Sequence, residues 1–136
     1  MQYSRKIMPY ELSNSLNNSF CVTAVSNALM HIHPEIMNTD QGCQYIGMEF
    51  AGLLKSSSVR ISMDSRGRAL DNIFIERFRR TLKYEFLYCN EFTSAGDLSK
   101  RLSEYIRYYS NERYHSSVGG TAAVVYERVK AKRVAV

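Results

Sequence analysis

No apolar run in this sequence approaches the roughly 20 residues that a bilayer-spanning helix needs, which excludes a membrane span of that kind. The N-terminal stretch has no apolar core of the sort a secretory leader carries, because Ser4-Arg5-Lys6 and Glu11 interrupt it. Cysteine is scarce. Cys21, Cys43 and Cys89 are odd in number, widely spaced and outside any metal-ligand pattern, so they read as reduced thiols rather than a disulfide framework. There is no internal repeat, low-complexity tract or linker. Aspartate is absent before position 40, where Glu11 and Glu35 are the only carboxylates.

What is present suits a globular protein. The 136 residues make one domain, large enough to bury about two thirds of its unfolded surface. Apolar content of 45% with 23% charged residues is ordinary for such a fold. The net charge of +5 is uneven. Residues 1–59 hold three Lys/Arg against four acids, and residues 60–136 hold 15 against nine, or −1 and +6. A basic half calls for an anionic partner, nucleic acid first.

The chain is organised around residues 68–85, which read as one amphipathic helix. Leu70, Phe74, Phe78 and Leu82 recur every four residues and form an apolar face. Asn72, Glu76, Arg80 and Lys83 fall on another face. A solvated face with a Glu76–Arg80 pair accounts for this pattern, as does a helix that offers an acid to a metal and cations to phosphates. A second stretch, Thr39-Asp40-Gln41-Gly42-Cys43-Gln44-Tyr45, follows a short strand, and 35 residues separate Asp40 from Glu76.

The remaining elements come from periodicity and caps. Tyr3 to Met8 leads into a strand ending near Leu12, and Pro9 makes it an edge or bulged strand. Asn17, Asn18 and Ser19 offer N-caps for a helix that Pro34 terminates. A strand over about Glu35–Thr39 delivers Asp40 at its C-terminal end, where ligand groups gather in α/β sheets. A helix over about Gly47–Lys55, weakly capped, turns Phe50, Leu53 and Leu54 inward. A short strand over Val59–Ser62 leads to the basic loop that carries Arg66 and Arg68. Ser94 to Asp97 resembles a capping box for a helix with a Leu98, Leu102, Tyr105, Ile106 and Tyr109 stripe. A last helix runs over about Ala122–Val129. Tyr105, Tyr108, Tyr109 and Tyr114 offer rings for base stacking, although a helix seam explains most of them. His31 and His33 point apart and make a poor metal pair.

Together these motifs resemble the integrase-type DDE transposases of bacterial insertion sequences, whose core also includes retroviral integrases. Thr39 to Tyr45 matches the family's second-aspartate motif. Asp71-Asn72, Glu76, Phe78, Leu82-Lys83 and Glu85 match its glutamate motif, and Tyr109 to Gly119 its tail motif, with Ser110 for Asn and Val118 for Leu. The tail then departs from the family, since Gly120-Thr121-Ala122-Ala123 lacks the usual proline.

The resemblance implies an α/β fold, a ribonuclease-H-like integrase core followed by C-terminal helices. Residues 1–136 would form a partial catalytic core, with about 94–136 as a helical extension. It implies two Mg²⁺ (or Mn²⁺) ions, one activating the attacking oxygen and one the leaving oxygen, held by Asp40 and Glu76 as catalytic residues. The family's first Asp lies further upstream than the 39 residues that precede Asp40, and neither Glu11 nor Glu35 is placed to replace it. The expectation is therefore an N-terminally truncated core lacking the first two strands, inactive alone.

Arg80 and Lys83, one and two turns beyond Glu76, are expected on DNA phosphates, as are Arg66 and Arg68 from their loop. Asn72 either orients DNA or caps its helix. Arg113 and His115 serve packing or DNA contact. Expected partners are DNA and other transposase subunits or an upstream polypeptide, with no membrane, in the bacterial cytoplasm at the nucleoid. Alternative readings are a non-catalytic DNA-binding or transposase-regulating module, or an inert remnant.

Overall fold

The computed structural model describes residues 4–14, 19–39, 47–63 and 73–134. The chain divides into two compact units, one of Pro9–Ile73 and one of Met1–Met8 with Phe74–Val136.

In the first unit, helix α1 spans Ser19–Leu29, strand β1 Ile36–Thr39, helix α2 Met48–Ser56 and strand β2 Arg60–Met63. β1 and β2 pair in parallel, with Ile36 opposite Arg60 and Thr39 opposite Met63. Parallel neighbours need a crossover, and α2 lies between them in the chain. The core is small and apolar: Cys21 of α1, Phe50 and Leu54 of α2, and Val59 at the entry to β2. Phe20, Val22, Val25, Leu29 and Met37 pack around it. Phe50 and Leu54 lie one turn apart on α2 and are fully buried. Gly47 caps α2 with no side-chain hydrogen bond, as its residue type predicts. α1 ends at Leu29, before Pro34 acts: Met30 and Ile32 close the last turn onto the Ser26 and Ala28 carbonyls.

In the second unit, helix α3 spans Ile73–Leu82 and runs into a π-helical turn over Lys83–Leu87. Helix α4 follows at Ala95–Asn111, then a hairpin of β3 (Tyr114–His115) and β4 (Gly120–Thr121), then helix α5 at Ala122–Val134. α4 packs on α5. Ser94 caps α4 by accepting from the Asp97 backbone N–H at 3.1 Å. Asp97 reaches back to the Thr93 N–H rather than to that of Ser94, so the box closes one residue early. The hairpin turn needs Gly119, whose φ of 69° is the left-handed region that glycine enters without strain. Among the described residues no helix is long and apolar enough to cross a membrane.

Three expectations need correction. The described part of the first strand, Ser4 to Leu12, is not a strand: Arg5 sits at φ 66° and the Ile7 N–H bonds the Ser110 hydroxyl at 3.4 Å instead of a ladder partner. The helix expected over 68–85 is α-helical only to Leu82, and residues 68–72 lie outside the described residues. The last helix extends beyond Val129 to Val134.

Candidate nucleic-acid interface

α3 has the two faces its periodicity predicts. Phe74, Phe78 and Leu82 are half-buried. Phe78 meets Tyr109 of α4 edge to face, with centroids 5.0 Å apart, and the Arg5 guanidinium covers Phe74 at 3.9 Å. Burial lowers the Arg5 pKa from its ordinary value. On the opposite side Glu76, Arg77, Arg79, Arg80 and Lys83 are exposed. One carboxylate therefore stands among four cations on a solvent-facing helix surface.

Glu76 does not pair with Arg80. Its carboxylate accepts from the Arg79 guanidinium at 3.0 Å, one turn on at i+3. Both side chains are about 60% exposed (59% and 62%), so the pair contributes little to stability. Arg80 turns instead toward the Tyr84 ring, 5.8 Å from its centroid. Arg77, Arg80 and Lys83 make no ion pair among the described residues. Of the other expected site residues, Asp40, Arg66, Arg68 and Asn72 lie outside the described residues. Thr39, which directly precedes Asp40, is buried at the end of β1, and its hydroxyl has no hydrogen-bond partner among the described residues. No group of three His, Cys, Asp or Glu side chains suited to a metal ion occurs among the described residues.

The π-helical turn sets up a second feature. The Tyr88 N–H reaches the Lys83 carbonyl at 2.9 Å, the wider i to i−5 closure. The Asn90 amide donates to the Phe86 carbonyl at 2.7 Å and the Cys89 thiol to the Tyr84 carbonyl at 3.1 Å, so side chains satisfy carbonyls that the helix end orphans. Phe86 is buried, stacked on Tyr105 of α4 at 5.1 Å and against Phe92 at 5.3 Å.

Beside it, Glu85 accepts a forked pair from Arg113, Nη2 to Oε1 at 2.6 Å and Nε to Oε2 at 3.2 Å. The Tyr105 hydroxyl donates to the same Oε2 at 3.0 Å. The Arg113 hydrogen bond holds the Glu85 carboxyl below its ordinary range, against the effect of desolvation, and the same bond raises Arg113. Burial pushes the Tyr105 phenol up, and its bond to Glu85 adds to that. Burial also raises Tyr109.

His115 completes the cluster. Its Nε2 lies 2.9 Å from the Tyr109 carbonyl, which only accepts, and its Nδ1 lies 3.4 Å from Arg113, which only donates. Those partners assign the proton to Nε2. Glu85 of the glutamate motif and Arg113 and His115 of the tail motif thus meet across 28 residues of sequence. Sequence reasoning left the tail pair between packing and DNA contact, without naming Glu85 as its partner. The available signal was charge complementarity between the conspicuous acid of one motif and the base of the other.

The family described as "Integrase core domain" matches residues 57–122. The putative transposase InsK for insertion sequence element IS150 of Escherichia coli (strain K12) is 28% identical over 127 residues, covering 91% of this chain and 45% of that protein. An uncharacterized transposase-like protein of Haemophilus influenzae is 29% identical over 126 residues, covering 91% of this chain and 58% of that protein. The chain therefore spans about half the length of the curated relatives it matches.

Among solved structures, the catalytic core domain of BIV integrase superposes with a TM-score of 0.72 at 12% identity, over 91% of this chain and 80% of that one. The HTLV-2 integrase catalytic core domain, solved in complex with magnesium, gives 0.59 at 17% identity, over 80% and 69%. These likenesses establish the ribonuclease-H-like integrase fold. The chain is thus similar in sequence to transposases of bacterial insertion sequences and similar in fold to integrase catalytic cores.

Proposed function

We propose that the chain serves DNA transposition, gripping DNA phosphates with the cationic face of α3 and contributing Asp40 and Glu76 to a divalent metal site. The observation that carries this reading is the exposed face of α3, where Glu76 stands with Arg77, Arg79, Arg80 and Lys83 on a helix held from behind by Phe74 and Phe78. Donor chemistry fits Mg²⁺ or Mn²⁺: carboxylate oxygens are the hard ligands these ions prefer, and the weak Glu76–Arg79 pair leaves that carboxylate within reach of a stronger cation. When bound, such ions activate the attacking oxygen and stabilise the leaving one in phosphoryl transfer. Arg80 and Lys83, with Arg66, Arg68 and Asn72, would hold the DNA backbone beside it. The setting is the bacterial cytoplasm, on nucleoid DNA, with further transposase subunits as partners.

The family pattern calls for a third carboxylate, and no aspartate precedes Asp40 in this sequence. We therefore propose that these 136 residues do not turn over alone. A second reading, a DNA-binding or transposase-regulating chain, is favoured by the lack of an aspartate before Asp40 in this sequence.

Nicking of a labelled duplex with Mg²⁺ or Mn²⁺, beside Glu76→Gln, tests both. Expected is no nicking by the folded chain, together with duplex binding whose salt dependence falls by about 0.9 in log–log slope for each phosphate-contacting cation removed. Nicking abolished by Glu76→Gln would establish a competent site and overturn the inactivity. Absence of salt-sensitive duplex binding would overturn the DNA reading itself.

A further inference from the structure

We propose that Tyr84 and Tyr88, with Arg80, form a stacking platform for the bases of unpaired DNA. The inference extends the DNA reading above to a second kind of contact, with bases rather than phosphates. The two rings are 62% and 69% exposed, among the most solvent-exposed large side chains of the described residues. They lie edge to face with centroids 5.4 Å apart, and the Arg80 guanidinium continues the row at 5.8 Å from Tyr84.

The backbone explains the row. Four residues of α-helix advance the side-chain direction by about 40°, whereas the wider π turn over Lys83–Leu87 turns it back. Residues 80, 84 and 88 therefore stay on one narrow stripe. Local widening of this kind is frequent at functional sites.

Tyr105 and Tyr109 of α4 have structural employment, while Tyr108 and Tyr114 are exposed but are not in ring contact with this row. Tyr105 stacks on Phe86 and bonds Glu85, and Tyr109 is buried between Phe78 and His115. Tyr84 and Tyr88 pack chiefly on each other, which recovers little of the apolar burial that usually keeps such rings in place. The charge around them selects the partner. Glu85 is taken by Arg113 and Glu76 by Arg79, while Arg77, Arg80 and Lys83 make no ion pair among the described residues. Exposed rings interleaved with uncommitted cations suit a polyanion with accessible π-faces. Single-stranded DNA offers both, whereas a duplex hides its base faces inside the stack.

The test measures binding of the full chain to a fluorescein-labelled oligothymidylate of about a dozen nucleotides, to an abasic strand of the same length and to a duplex. The variants are Tyr84→Leu, Tyr88→Leu and the corresponding Tyr→Phe changes. The Leu changes keep apolar area and remove the π-face. Each is expected to weaken oligothymidylate binding roughly tenfold, leave duplex and abasic binding within about twofold, and be rescued by Phe. Tyr→Gln replaces any Leu variant that lacks a cooperative thermal transition.

Unchanged oligothymidylate binding in the Leu variants, or equal loss on all three ligands, would overturn the platform while leaving the duplex contact standing. Binding of oligothymidylate without duplex binding would overturn the phosphate-face reading and leave the platform standing.

Discussion

The two compact units are held by different physics. In Pro9–Ile73 the centre is apolar: Cys21, Phe50, Leu54 and Val59 in mutual packing beneath a short parallel ladder. In the unit built on α3 and α4, Glu85, Tyr105, Arg113 and His115 are linked by hydrogen bonds around the rings of Phe86 and Tyr109. Apolar packing has no titratable group to respond to pH but is intolerant of lost volume. A charge-assisted cluster tolerates small volume changes and responds to protonation. The unit proposed to meet DNA is therefore the one that carries a charge-assisted cluster.

The comparison can be broken by substitution. Phe50→Ala should cost the most, about 3–5 kcal/mol, because Phe50 is fully buried in a core of few side chains. Faster alkylation of the buried Cys21 reads the effect directly. A cost under about 1 kcal/mol would mean that the small core collapses around the gap.

Arg113→Ala should cost about 1–2 kcal/mol, since it removes both guanidinium bonds from Glu85 at a site that solvent still partly screens. Urea midpoints measure it, and Arg113→Lys should recover only part, because an ammonium lacks the forked geometry.

The pH dependence sharpens the contrast. Folding lowers the Glu85 pKa, so below its ordinary value of 4.5 the unfolded chain binds the extra proton first. The stabilisation is present above that value and is lost as pH falls through the folded pKa. Glu85→Gln should flatten this limb of the stability profile, and an unchanged limb would assign the acid sensitivity elsewhere. The smallest effect is expected from Arg79→Ala, within about 0.5 kcal/mol in thermal unfolding, because its pair with Glu76 is exposed.

Much of the local structure was legible in the sequence. The apolar repeat of Phe74, Phe78 and Leu82 predicted the buried side of α3, and Ser94 predicted the start of α4. Strand β1 and helix α2 fall within a residue of their expected bounds. These features depend on neighbours within a turn or two, which the sequence lists directly. The N-terminal strand failed because its outcome depended on a distant partner, the Ser110 hydroxyl that takes the Ile7 N–H. Of the four tyrosines weighed for base stacking, Tyr105 and Tyr109 form the helix seam offered as the alternative, and Tyr108 and Tyr114 stay exposed. Tyr105 and Tyr109 are committed by Phe86, Glu85 and His115, none of which adjoins them in sequence.

The sequence by itself determined the family motifs, the basic character of residues 60–136 and the two-faced character of α3, because composition and periodicity are local properties. Only the tertiary structure decided that Arg79 rather than Arg80 takes Glu76, and that Glu85 and Arg113 meet. It also decided which tyrosines stay in water. Long-range pairing sets the Glu85–Arg113 contact and the tyrosine burial, and side-chain rotamers within one helix set the Glu76–Arg79 pair; sequence spacing fixes neither.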